Sequence, residues 1–280
     1  CTAGAATKYI LTTTNATPIA GSAVTISAQL ADANNNALAT AANVVTWSAT
    51  GGGSFGSATS TTNSSGIATV TFTTSATAAT AHTVTGATAA LSGSSPTITT
   101  ASGVAANYLV TPAALNPAPT TLIAITAQLR DANNNNVALA GQTVTWSSTN
   151  GGSFSAATSV TSAAGLATIN FTTAGTSTVP VTHVVTATTG GVTGNSVSVT
   201  TVAASVAQST IAVSSASVTV GTAVQITVQL KDASGTNLTF SRGTVLVASS
   251  GTGTLSSTTD NTNGTYSATI NSPIVGSTSI

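Results

Sequence analysis

The chain has 280 residues, 41% of them apolar, yet only 3% are charged: four Lys and Arg stand against four Asp and Glu, for a formal net charge of zero. Four scattered cations cannot build the basic patch that neutralises phosphates, which excludes a nucleic-acid partner. Disorder sustained by charge is excluded as well, and Thr, Ser, Asn or Gly interrupts every apolar run short of the roughly 18 residues that span a bilayer.

From the N-terminal end the dominant period is two. Val24, Ile26, Ala28 and Leu30 alternate with polar residues, as do Val45 and Trp47, then Ala68, Val70 and Phe72. This spacing predicts half-buried strands. The abundant Thr fits them, because its branched carbon suits the pleat while its hydroxyl is expected to face water. Between the strands, Asp32-Ala33-Asn34-Asn35-Asn36 and Gly51-Gly52-Gly53 predict turns bonded by side chains or needing positive φ. His82 follows, expected at the surface or rim of a later strand.

The pattern then recurs. Tyr9, Leu30, Asp32, Trp47, Phe55, Gly66 and Phe72 return at one constant displacement as Tyr108, Leu129, Asp131, Trp146, Phe154, Gly165 and Phe171. A more divergent third copy starts near Ser209. It places Val224, Ile226, Leu230, Asp232, Gly264 and Ile270 after Ile123, Ile125, Leu129, Asp131, Gly165 and Phe171, with Val247 at the tryptophan position and Leu255 at the phenylalanine position. Three units follow: 1–104, 105–205 and 206–280. Each full copy, about 100 residues with roughly seven short strands, reads as an all-β immunoglobulin-like sandwich. The expected core fillers are Trp47, Phe55 and Phe72 in the first and Trp146, Phe154 and Phe171 in the second. Short linkers at Ser102-Gly103-Val104 and Ala203-Ala204-Ser205 predict a tandem, elongated rod. The third copy stops where strands equivalent to about 180–203 are due. Either the polypeptide continues past Ile280 or a neighbouring subunit donates the strands.

The stretch from Val45 to Phe55, Val-Thr-Trp-Ser-Ala-Thr-Gly-Gly-Gly-Ser-Phe, followed by Gly66-Ile67-Ala68-Thr69-Val70-Thr71-Phe72, resembles the bacterial immunoglobulin-like domains of the invasin/intimin group. Gly21 to Ile26 and Leu30 to Asn34 are similar to that group's second strand and following turn, and Val144–Phe154 with Gly165–Phe171 repeat the signature. The resemblance implies a surface or secreted protein whose modules serve as stalks, adhesins or structural arrays. It implies no particular ligand.

No residue is assigned to catalysis, a cofactor or a metal. Asp32, Asp131 and Asp232 are one turn position in three repeats, so a domain length separates them and they cannot converge on a single site. His82 and His183 are likewise equivalent, and no nucleophile-elbow sequence accompanies either. The Asp-Ala-Asn-Asn-Asn loops suggest calcium, but each offers one carboxylate to an ion that prefers several, and turn chemistry explains them without metal. Lys8 and Lys231 do not repeat in register and Glu is absent, which disfavours isopeptide crosslinks. The Asn-x-Ser/Thr matches at Asn15, Asn63, Asn170, Asn237 and Asn263 are expected by chance in so Thr-rich a chain. Cys1, the only cysteine, has two readings: a lipidated first residue resembling mature bacterial lipoproteins, or an arbitrary start inside a longer array.

The expected function is that of a non-enzymatic, cell-surface or extracellular repeat protein, a stalk, adhesin or structural component, outer-membrane anchored if Cys1 carries lipid. Its expected partners are other copies of itself or cell-surface and matrix components including glycans, with no nucleic acid, and with a membrane only through Cys1. Two alternatives are a subunit of a self-assembling filament or sheath completed by strand donation, and spacer domains of a larger secreted enzyme or virion protein.

Overall fold

A computed structural model describes residues 4–175, 179–241 and 243–280. Every regular element among them is a β-strand. The chain falls into two compact units, one of Cys1–Tyr108, Gln128–Gly141 and Ser162–Leu166, the other of Leu109–Ala127, Gln142–Thr161 and Ala167–Ile280.

In the first unit the first repeat supplies β1 (Lys8–Thr13), β2 (Ala23–Ala31), β3 (Val44–Ala49), β4 (Ser54–Phe55), β5 (Thr59–Thr61), β6 (Ile67–Thr73), β7 (Ala81–His82), β8 (Val84–Ala87), β9 (Ser92–Ser94) and β10 (Ile98–Thr99). One sheet runs β1-β2-β6-β4, a second β5-β3-β8-β9, and β7 pairs with β10. The central antiparallel ladder sets Val24 opposite Phe72, Ile26 opposite Val70 and Ala28 opposite Ala68. Every second side chain therefore turns to one face. Those side chains and the inward ones of the facing sheet, Val45, Trp47 and Val84, make one core with Tyr9, Leu11, Leu30 and Ile98. Phe72 and Ile26 are fully buried, and side chains of that size each contribute about 1.5–3 kcal/mol on leaving water. Trp47 faces Gly86 across its ladder. A Cβ there would meet the indole at 3.0 Å, so the missing side chain makes room for the ring.

One glycine recurs for a mechanical reason. Gly66, Gly165 and Gly264 adopt φ of 73°, 73° and 83°. An added Cβ would land on the carbonyl oxygen of Leu38, Val137 and Leu238 respectively. Both the left-handed backbone and the close approach require glycine.

The second unit holds most of repeat two and all of repeat three. In repeat two, the strands Ser153–Phe154, Leu166–Thr172, Leu122–Arg130, Asn107–Pro112, Val192–Asn195, Val185–Thr189, Thr143–Ser148 and Thr158–Val160 follow one another in a single eight-stranded sheet. Ile125, Val144, Phe171, Val185 and Val199 are fully buried. Repeat three is sparser. Thr210–Val213, Val224–Gln229, Thr265–Asn271 and Thr254–Leu255 form its main sheet, and residues 244–249, where Val247 replaces the tryptophan, form no strand. Its core splits into two clusters, Val224, Ile226, Ala268 and Ile270, and Leu230, Leu238 and Tyr266. Val202 and Ala204 pack against the latter. The stretch read from sequence as a bare linker there belongs partly to the core.

Candidate interaction surfaces

The turn after β2 is built on one carboxylate. Asp32 Oδ1 accepts the backbone N–H of Asn34 and of Asn36, both at 2.9 Å, while Oδ2 accepts the Asn36 amide at 2.9 Å and the Gly4 N–H at 2.8 Å. Asn35 completes the turn at φ 66°, a conformation that asparagine tolerates. The amide of Asn36 and the N–H of Gly4 hold the Asp32 carboxyl at about 2, well below its ordinary value and against the effect of burial. Asp131 repeats the construction with Asn133, Asn135 and the Gly103 N–H, the last at 2.8 Å. Burial pushes its carboxyl up, yet the hydrogen bonds from Gly103, Asn135 and Asn133 outweigh it and the net direction is down. Asp232 accepts from Ser234 and Thr236. The Ser234 hydroxyl leads in lowering it. In the first two turns both carboxylate oxygens accept from donors of their own loop and the lead-in segment, and in the third Oδ1 accepts from Ser234 and Thr236. That is turn chemistry, and it also fastens the segment entering the repeat, Gly4 or Gly103, to the repeat's own loop.

Within the first unit the Asp131 loop makes a second set of contacts. Asn133 Nδ2 donates to the Ala20 carbonyl at 3.0 Å, Asn135 Nδ2 to the Ala76 carbonyl at 2.9 Å, and the Ala78 N–H donates to Asn135 Oδ1 at 2.9 Å. Two asparagine side chains from repeat two thus clasp the base of repeat one through its backbone. The motif is visible in the sequence as a turn; its use as a fastening is not, because an exposed turn and a docked one have the same composition.

The histidines overturn a surface expectation. His82 and His183 are fully buried. His82 Nδ1 lies 3.1 Å from the Thr50 carbonyl oxygen, and the Ser75 N–H approaches Nε2 at 3.4 Å. Since a carbonyl only accepts and an N–H only donates, the partners assign Nδ1 as the donor and Nε2 as the acceptor. His183 makes the same pair with Thr149 and Ala174 at 3.0 and 3.2 Å. Each ring meets a core phenylalanine edge-on, Phe72 or Phe171, with centroids 5.3 Å apart. Both imidazole nitrogens tie loops together, leaving neither for proton transfer to a substrate. Periodicity missed this, because a polar residue in an alternating strand reads as outward.

Trp47 and Trp146 are buried, and each indole N–H donates to a serine hydroxyl at 2.9 Å, Ser60 or Ser159. Phe72 and Phe171 lie in the core, whereas Phe55 and Phe154 are half-buried and cover them at centroid distances of 5.0 and 4.9 Å. Cys1 lies outside the described residues. Among the described residues, no three of His, Cys, Asp and Glu come together, and no helix is long and apolar enough to cross a membrane. Sequence reasoning also missed the buried hydroxyls: Thr62, Thr74 and Thr100 face inward, where they donate to backbone carbonyls of Thr40, Ser22 and Thr77. The glutamines escaped it too. Gln29, Gln128 and Gln229 each aim Nε2 at the carbonyl of the next residue and of the turn glycine, Gly66, Gly165 or Gly264. Their register across the three copies was the available signal.

Repeat three presents a groove of about 780 Å³ whose lining mixes apolar residues, Val213, Val218, Val220, Val224, Ile270 and Ile274, with serines and threonines such as Thr222 and Ser272. Val218, Val220 and Ile274 are exposed. Thr278–Ser279 pairs with Ser250–Gly251 beside it.

Residues 205–280 match the family model described as Invasin, domain 3. The third repeat is thus similar to an invasin domain, and its Asp turn, Gln and Gly264 positions recur in register in the other two repeats. Among solved structures, the chain is similar to FdeC, an adhesin of Escherichia coli, at 21% identity and TM-score 0.47, covering 97% of this chain and 91% of that one. It is similar to the D00-D0 domain of intimin at 18% identity and TM-score 0.43, covering 69% and 100%. With invasin, a bacterial integrin-binding protein, it shares 18% identity at TM-score 0.33 over 97% of this chain and 55% of that one. No curated protein matches the chain. The repeats are all-β sandwiches with the inward alternation that the sequence predicts.

Proposed function

We propose that this chain is a non-enzymatic array of immunoglobulin-like repeats exposed on a bacterial surface, where it serves as a stalk or adhesin whose partners are cell-surface or matrix components, glycans among them. The observation that carries this reading is the invasin-domain match of residues 205–280 together with the in-register Asp, Gln and Gly positions of all three repeats. The fate of the ionisable groups supports it. The histidines are spent on backbone groups and Asp32, Asp131 and Asp232 on their own turns, so the residues that perform acid-base chemistry elsewhere here hold loops. Antibodies raised against the chain should label intact producing cells; label that appears only after lysis overturns the reading.

The groove of repeat three favours a second reading. In repeats one and two the strands Ala81–His82, Val84–Ala87 and Ile98–Thr99, or their equivalents, supply fully buried His, Val and Ile or Val side chains. An added strand of the same pattern would set such side chains against Val218, Val220, Ile270 and Ile274 of the third by β-augmentation. If it comes from another subunit, the purified chain assembles as its concentration rises. A sedimentation coefficient that stays monomeric across the whole range removes that reading.

A further inference from the structure

The amide clasp has a second copy, exposed in the first repeat. Asp32–Asn36 reproduces the seated Asp131–Asn135 loop in each feature that shapes it: the carboxylate accepts the same two backbone N–H groups at 2.9 Å. The lead-in glycine donates to Oδ2 at 2.8 Å in both, and Asn35 and Asn134 share φ of 66° and 65°. Asn34 and Asn36 stand where Asn133 and Asn135 stand. In the second repeat those two amides satisfy the Ala20 and Ala76 carbonyls and the Ala78 N–H of another repeat's base. In the first they are exposed. The third loop keeps the carboxylate turn, with Gly235 at φ 83°, but carries Ser234 and Thr236 in place of the amides. Hydroxyls that short do not reach as an amide does, and a single hydroxyl oxygen cannot span Thr77 as Asn135 does, donating from Nδ2 to the Ala76 carbonyl and accepting the Ala78 N–H at Oδ1.

We propose that the Asp32–Asn36 loop is a docking surface for the base of a further immunoglobulin-like repeat, recognised through two backbone carbonyls and one N–H placed like those of Ala20, Ala76 and Ala78. Asn34 donates to the first carbonyl, and Asn36 donates to the second while accepting from the N–H. The carboxylate of Asp32 does not touch the partner. It sets the loop and anchors Gly4, so that the incoming repeat and the chain segment leading into repeat one are fixed on one turn. The partner's side chains matter little at these three contacts, which are made to its main chain; what is read is the backbone path of such a base, which suits an array whose repeats diverge in sequence.

The test places a second copy of residues 1–99 ahead of the intact chain, so that its base meets the Asp32 loop. Hydrogen exchange of the Ala78 amide is then followed in the added repeat and in the resident one. The added Ala78 amide should be protected about tenfold more with the native loop than with Asn34→Ser and Asn36→Thr together, the loss of roughly one hydrogen bond. That variant installs the Ser and Thr of the Asp232 turn, which makes the same two backbone N–H bonds to its carboxylate, and unchanged exchange of Asn34-loop backbone amides verifies it. Asn133→Ser with Asn135→Thr calibrates the measurement by releasing the resident Ala78. Equal exchange of the added Ala78 amide in the two fusions, while the resident one responds, overturns the proposal. So does a resident Ala78 that ignores loss of its own asparagines.

Discussion

Asp32, like Asp131 in the second repeat, does two jobs at once, because one carboxylate closes a turn and holds the segment entering the repeat. Its folded value of about 2 lies below the ordinary 3.8, so ionisation and folding favour one another. The contribution is fully present above roughly pH 4 and is lost as pH falls through about 2. The melting temperature of the chain should therefore drop between pH 5 and pH 2, and Asp32→Asn should both lower stability at neutral pH and flatten that acid limb; thermal scans by circular dichroism at a series of pH values check both. The histidines make a second case. His82→Ala empties a fully buried site and strands the Thr50 carbonyl and the Ser75 N–H, at a cost of about 2–4 kcal/mol. His183→Ala should cost a similar amount. Urea titration reads each, and a loss near zero would mean that the rings are not structural.

At the level of strands and turns, the sandwich was legible where a hydrophobic residue occupied every inward position. Val24, Ile26, Ala28 and Leu30 follow period two and all lie in the core. It was illegible where a polar residue faces inward, as at Thr62, Thr74 and His82, because alternation assigns such residues to solvent and only the three-dimensional position of a backbone partner reveals the exception. Repetition in register was the better guide. Gly66 recurs as Gly165 and Gly264, and each lies where a Cβ has no space. Gly66→Ala or Gly165→Ala combines left-handed strain with a clash against a backbone carbonyl and should destabilise by about 1–3 kcal/mol or more, whereas Gly52→Ala, with nothing near its Cβ, meets only the strain. Differential denaturation of the three variants separates the two effects. The Asp turns make a further prediction: both oxygens of Asp32 and Asp131 are already engaged by hydrogen-bond donors, and each loop offers a single carboxylate, so the thermal transition should be the same with and without a calcium chelator. A shift of several degrees on chelation would return calcium to these loops.

Across the whole chain, cohesion is uneven. Repeats one and two each bury an aromatic cluster around Phe72 or Phe171, while the third divides a smaller core into two clusters and leaves Val220, Leu246 and Val275 exposed. Its amides should exchange first as temperature rises, with Val224–Gln229 and Thr265–Asn271 losing protection before Ala23–Ala31 and Ile67–Thr73; hydrogen-exchange mass spectrometry distinguishes this order from a single concerted event.

The seam at Asn133 and Asn135 is fastened by carboxamides and main-chain groups, with no ion pair among those contacts. Dissolved electrolytes act by screening separated charges, and here they find almost nothing to screen. A fastening of that kind grips alike in brine and in rainwater.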